Sequence, residues 1–275
     1  MNFSGIAYDA NGNTLTMVNS SGTTTYAWDY ENRLTGVTLP GSAGTVSFKY
    51  DPFGRRIYKS SSSGTLIYAY DGDNLIEETN SSGTAVARYT QGLNIDEPLA
   101  MLRSSATSYY QVDGLGSVTS LSNAAGAAAA NYTYDSFGNL VASSGSIVNN
   151  FRYTGREWDP ETSLYYYRAR YYDLQAGRFL SEDSKHFKAG VNFYRYVNNN
   201  PVLLSDPKGA CPLQQQKCFE LQTIVQVTGA LAAANGAAAA MTAELPPVGA
   251  TLGTIASVEG IASGVFAIVW VVFCY

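Results

Sequence analysis

A chain of 275 residues can bury one large or two modest cores, and 21 Tyr, 26 Gly and only 14% charged residues bias it towards β-structure. The net charge of -5, with the arginines scattered among acids, provides no basic stripe for a phosphate backbone, so nucleic acid is excluded as an expected partner. A single histidine, His186, excludes a His-based triad elsewhere, and the cysteines Cys211, Cys218 and Cys274 form no Cys-x-x-Cys pair or zinc spacing, so no metal or cofactor is expected.

The chain opens without a basic n-region or apolar h-region, so no signal peptide is expected, and it starts within a repeat, as a piece of a longer repeat protein would. Residues 1–150 carry a recurring unit: an aromatic, Asp, two variable residues, Gly, then a polar or basic residue. It stands at Tyr8-Asp9-Ala10-Asn11-Gly12-Asn13, Tyr50-Asp51-Pro52-Phe53-Gly54-Arg55 and Tyr134-Asp135-Ser136-Phe137-Gly138-Asn139. Degenerate copies begin at Trp28-Asp29, Tyr70-Asp71 and Val112-Asp113.

Each position has a mechanical reason. Alternating runs such as Thr25 to Trp28 and Leu66 to Tyr70 predict strands. The Asp accepts from amides of the following turn, and Gly or Asn supplies the positive φ at its tip. Ser-Ser-Gly-Thr at Ser20 to Thr23, Ser62 to Thr65 and Ser81 to Thr84 predicts the opposite turns. Such hairpins cannot hide an apolar face singly, so they are expected to stack into a curved sheet with Tyr rings along one face. Turn caps and core aromatics are the favoured roles of these Tyr and Asp residues, with a carbohydrate-binding groove as the lesser alternative.

Residues 151–209 change texture. Phe151-Arg152-Tyr153-Thr154-Gly155-Arg156-Glu157-Trp158-Asp159-Pro160 is followed by Leu164-Tyr165-Tyr166-Tyr167-Arg168-Ala169-Arg170-Tyr171-Tyr172-Asp173, Gly177-Arg178-Phe179-Leu180-Ser181-Glu182-Asp183, Asn192 to Pro201 and Asp206-Pro207-Lys208-Gly209. This run closely resembles the RHS-repeat-associated core of the Rhs/YD-repeat family, and the units before it resemble YD repeats. The resemblance covers residues 1 to 209. It implies a polymorphic toxin built as a mainly β fold: antiparallel hairpins in a curved, spiral shell, a core segment plugging one end, and a variable C-terminal module held as cargo.

The resemblance also implies an aspartic autoprotease. Carried over residue by residue, its carboxylates are Asp183 and Asp206, with Arg178 as the expected bidentate partner of one of them, and the scissile bond is Ala210-Cys211. One carboxyl acts as acid while the other activates water. Two positions depart from the family pattern: Ser184 follows Asp183 where Pro is usual, and Ala210 stands where Leu precedes the cut. Asp206 before Pro207 and Asp183 at a strand end also suit plain turn roles.

Residues 210–275 form a third segment in which, from 221 on, Glu244 and Glu259 are the only charges. Two candidate helices, about 221–243 and 248–275, flank Pro246-Pro247 and approach the length that spans a bilayer. Three readings stay open here: a membrane-active or anchoring hairpin, apolar cargo inside the shell, or a truncated tail. A Cys211–Cys218 disulfide is left open as well. The expected protein is a secreted or cell-surface Rhs-type toxin with its own C-terminal segment as cargo, a cognate immunity protein as partner, and membrane contact through 248–275. The alternative is a wall-associated scaffold with an adhesive role, and a remnant with too few repeats to close a shell is the third.

Overall fold

A computed structural model of the chain describes residues 5–210, the side chains of 188 and 189 excepted. The two apolar C-terminal segments, Cys211 and Cys218 lie outside the described residues. Among the described residues no helix is long and apolar enough to cross a membrane.

The repeats form fourteen strands in one sheet whose neighbour order is the chain order, paired antiparallel throughout. The first repeats give β1 (Gly5–Tyr8), β2 (Thr14–Asn19), β3 (Gly22–Trp28), β4 (Leu34–Thr38) and β5 (Thr45–Tyr50). The middle gives β6 (Arg56–Ser61), β7 (Gly64–Asp71), β8 (Asn74–Asn80), β9 (Ala85–Gln91) and β10 (Pro98–Arg103). The last are β11 (Ala106–Val112), β12 (Val118–Asn123), β13 (Ala128–Tyr134) and β14 (Leu140–Gly145). Alternation sets the faces: in β3, Tyr26 is buried while Thr25 and Ala27 face outwards.

The Asp of the repeat caps its turn as its chemistry dictates. One carboxylate oxygen of Asp9, Asp29, Asp51, Asp113 and Asp135 accepts from the amides two and four residues on, at 2.8–3.0 Å. The residue three on from the Asp has positive φ, as at Gly54 (81°) and Asn32 (59°). Tyr70-Asp71 differs: with Gly at the next position, Asp71 pairs with Asn74 and leaves Gly72-Asp73 as a two-residue turn.

Curvature has a local source too. The register slips by one residue at or beside the aromatic of each unit, between Ala7 and Tyr8, Ala27 and Trp28, Lys49 and Tyr50, Ala69 and Tyr70, and Thr133 and Tyr134. A bulge bends its strand and increases twist, so one per repeat curves the sheet progressively. The same aromatic then secures the bulge by donating to the carbonyl that starts the preceding strand: Trp28 Nε1 to Thr14 at 2.8 Å, Tyr50 OH to Leu34 at 2.6 Å, Tyr70 OH to Arg56 and Tyr134 OH to Val118 at 2.9 Å. Tyr134→Phe is expected to lose about 1 kcal/mol for the missing bond and 2–4 °C in melting temperature, measured by calorimetry.

A second sheet, β15 (Glu157–Asp159), β16 (Leu164–Tyr167), β17 (Arg170–Asp173) and β18 (Arg178–Phe179), has every residue of β16 and β17 buried. Leu164, Tyr166 and Tyr171 pack with Met17, Val37 and Phe48 of the shell, while Phe151 packs with Tyr89 and Met101 of later repeats. The small sheet thus fills the apolar face that the repeats leave open. Buried cations from β6 meet acids of the segment around β15: Arg56 pairs with Glu157 and Asp159, and Lys59 with Asp159 and Glu161.

Candidate functional site

The register of the second sheet creates the site. Tyr167 pairs with Arg170, so Arg168-Ala169 is a two-residue turn and Arg170 starts the returning strand. Its guanidinium carbon lies 3.7 Å from the ring centre of Phe179, on the adjoining strand β18. From there Arg170 Nη2 donates to Asp183 Oδ2 at 2.7 Å and stands 3.4 Å from Asp206 Oδ2. Nη1 donates to the Phe193 carbonyl at 3.0 Å, and Nε to the carbonyl of Gly209. Burial pulls this guanidinium below its ordinary pKa, against the opposing charges of Asp183 and Asp206.

Asp183 and Asp206, both buried, are therefore brought to one cation, although they are far apart in sequence. Asp183 is fixed by its own turn: Oδ1 accepts from the Lys185 amide at 2.8 Å, its carbonyl accepts from the His186 amide, and its amide donates to the Phe193 carbonyl. Ser184 fits this turn without the usual Pro. Arg178 is placed elsewhere, with its guanidinium over the rings of Tyr194 (4.3 Å) and Tyr8 (5.9 Å). The arginine between the carboxylates is Arg170, which the sequence reading passed over. Arg170 shares a face of β17 with Tyr172, but both faces of that strand are buried, so alternation along the sequence does not single it out.

The site opens on a cleft of about 500 Å³. Its walls include Arg168, Arg170, Asp183 and Ala210 from the second sheet's segment, and Asn11, Asn32, Phe53 and Arg55 from the first repeat turns. Ala210, the residue before the predicted scissile bond, thus lies in the same cleft as Asp183. Two carboxylates with one cation, beside a held main-chain carbonyl, form a set suited to adding water to a peptide bond.

Comparison with known proteins places this architecture. Residues 4–202 match the Teneurin YD-shell family. The tRNA3(Ser)-specific nuclease WapA of Bacillus spizizenii is 37% identical over 219 residues, 76% of this chain and 9% of that protein. Toxin subunit YenC2 of Yersinia entomophaga is 53% identical over 62 residues, 22% of this chain and 6% of that protein. The solved TcdB2-TccC3-Cdc42 structure superposes with a TM-score of 0.61 at 26% identity, covering 74% of this chain and 11% of that one. The chain spans about a tenth or less of the length of these relatives. With a bulged YD hairpin sheet wrapped on an RHS-type core, and a family match over most of its length, the chain belongs to the Teneurin YD-shell family of RHS/YD-repeat proteins, related to Tc toxin subunits and WapA toxins.

Proposed function

We propose that this chain is the closing end of a toxin shell, which holds the segment after Ala210 as cargo and frees it by one self-cleavage at Ala210-Cys211. The observation that supports this reading is the Arg170 guanidinium, which touches Asp183, Asp206 and the Gly209 carbonyl at once. One ionised carboxylate takes a proton from water, and the oxygen adds to the Ala210 carbonyl carbon. The other, protonated, supplies the proton to the Cys211 nitrogen as the C–N bond breaks. Arg170 balances the charge of one carboxylate and steadies the chain one residue before the bond.

The partners this reading requires are the chain's own C-terminal segment and a cognate immunity protein, in a secreted or cell-surface setting. Nuclease activity stays with the relatives that are named for it. Purified wild-type chain is expected to give two fragments by intact mass, one ending at Ala210, and Asp183→Asn to give only the full-length mass. A wild-type chain that stays whole after folding sinks the proposal.

A further inference from the structure

The stretch before the predicted cut is held in an unusual way. Three consecutive carbonyls are gripped by three consecutive residues of the turn between β16 and β17: Pro207 by Arg168 Nη1, Lys208 by the Ala169 amide at 3.2 Å, and Gly209 by Arg170 Nε. The Gly209 amide turns back to the Asp206 carbonyl at 3.2 Å. Gly209 has φ +59°, and a Cβ there would stand 2.1 Å from the Tyr167 carbonyl oxygen, so main chain lies directly on main chain.

The grip is itself anchored in the shell. Arg168 Nη2 pairs with Asp96 at 2.8 Å and donates to the Asp73 carbonyl at 3.1 Å. The Asp96 side chain is 8% exposed and pairs with Arg156 as well. Side chains of residues 207–210 contribute little by contrast: Lys208 reaches Asp73 only at 3.7 Å, in an exposed pair.

Resting on the self-cleavage reading, we infer that this turn selects the bond by main-chain register: Arg168 is a positioning residue that fixes how far the chain advances, and the side chain at 210 takes no part in the choice. That accounts for Ala210 at a position where the family pattern has a larger residue. Selection by backbone carbonyls is indifferent to side chains, whereas a register slip of one residue would present the neighbouring bond.

The test uses the full chain. In Ala210→Val the fragment is expected to end at residue 210 still, by mass spectrometry. Arg168→Ala is expected to slow the cut at least tenfold and spread the fragment ends over adjacent bonds, with Arg168→Lys restoring a single end in part. Hydrogen exchange in the uncut Asp183→Asn background gives a second reading, in which Arg168→Ala speeds exchange across 206–210 while the shell strands stay protected. A cut that moves in Ala210→Val, or an Arg168→Ala chain with one end at the wild-type rate, overturns the inference while self-cleavage stands. Unchanged exchange across 206–210 overturns the clamp whether or not the chain cuts, and an uncut wild-type chain overturns the self-cleavage reading itself.

Discussion

Arg56→Ala is expected to destabilise the fold by about 3–5 kcal/mol, because it strands two buried carboxylates. Arg56 is 1% exposed and donates to Glu157 Oε2 at 2.9 Å and to Asp159 Oδ2. Its guanidinium also stands 4.5 Å from the Tyr166 ring centre and 5.1 Å from that of Tyr68, one ring from each sheet. The alanine variant leaves Lys59 as the partner of Asp159 and Glu161, and Glu157 with Arg156 at 3.8 Å. A melting temperature lower by roughly 10 °C should follow at the sensitivity usual for this size.

Acid sharpens the test. Burial alone would raise the Asp159 carboxyl, but the charges of Arg56 and Lys59 outweigh it and hold it below the ordinary value of 3.8. A depressed carboxylate contributes stability that is present above its unfolded pKa and lost as pH falls through the lower folded one, so the wild-type contribution disappears only below about pH 4. Without Arg56 that depression shrinks, so the variant has less of this contribution to lose and its deficit against wild type is widest near neutral pH and narrows as pH falls below about 4. Urea titrations of wild type and variant across pH 3–7 measure both effects, and a loss under about 1 kcal/mol at pH 7 would show that the network is not a joint between shell and core.

How far residues reveal their roles in sequence depends on how local those roles are. Asp51 accepting from the amides of Phe53 and Arg55 is settled within five residues, so the repeat turns were legible unaided. The Tyr50 hydroxyl reaching the Leu34 carbonyl needs the bulge and the pairing of two strands, and no pattern along the chain announces it. Asp71 shows the limit even for local signals, since one Gly shifted next to it replaces the capped turn with a tighter one. At the site, motif resemblance points to Asp183 and Asp206, which the fold brings to one cation, and to Arg178, which precedes the Phe179 of the same motif. In the sheet, Arg178 pairs with Asp173 at the far end of β17, while Arg170 stands at its near end, against the Gly209 carbonyl.

For the proposed self-cleavage, Arg170→Lys is therefore expected to reduce the rate on the order of a hundredfold or more, the scale of a reacting group displaced by about an ångström. An ammonium is a compact charge without the planar fork, so it cannot meet Asp183, Asp206 and the carbonyls of Phe193 and Gly209 together. Arg170→Met removes the cation as well as the fork, so it is expected to slow the cut further than Arg170→Lys does. A lower rate in Arg170→Met than in Arg170→Lys distinguishes a charge role from loss of shape, because both variants remove the planar fork. Arg178→Ala serves as the counterpart: its guanidinium rests on Tyr194, whose hydroxyl donates to the Gly12 carbonyl at 2.7 Å, so its loss loosens the contact with the first repeat turn but leaves the carboxylates joined. Single-turnover cleavage of the three variants between pH 4 and 8 separates the two arginines, and a cut that survives Arg170→Met but not Arg178→Ala would return the role to Arg178.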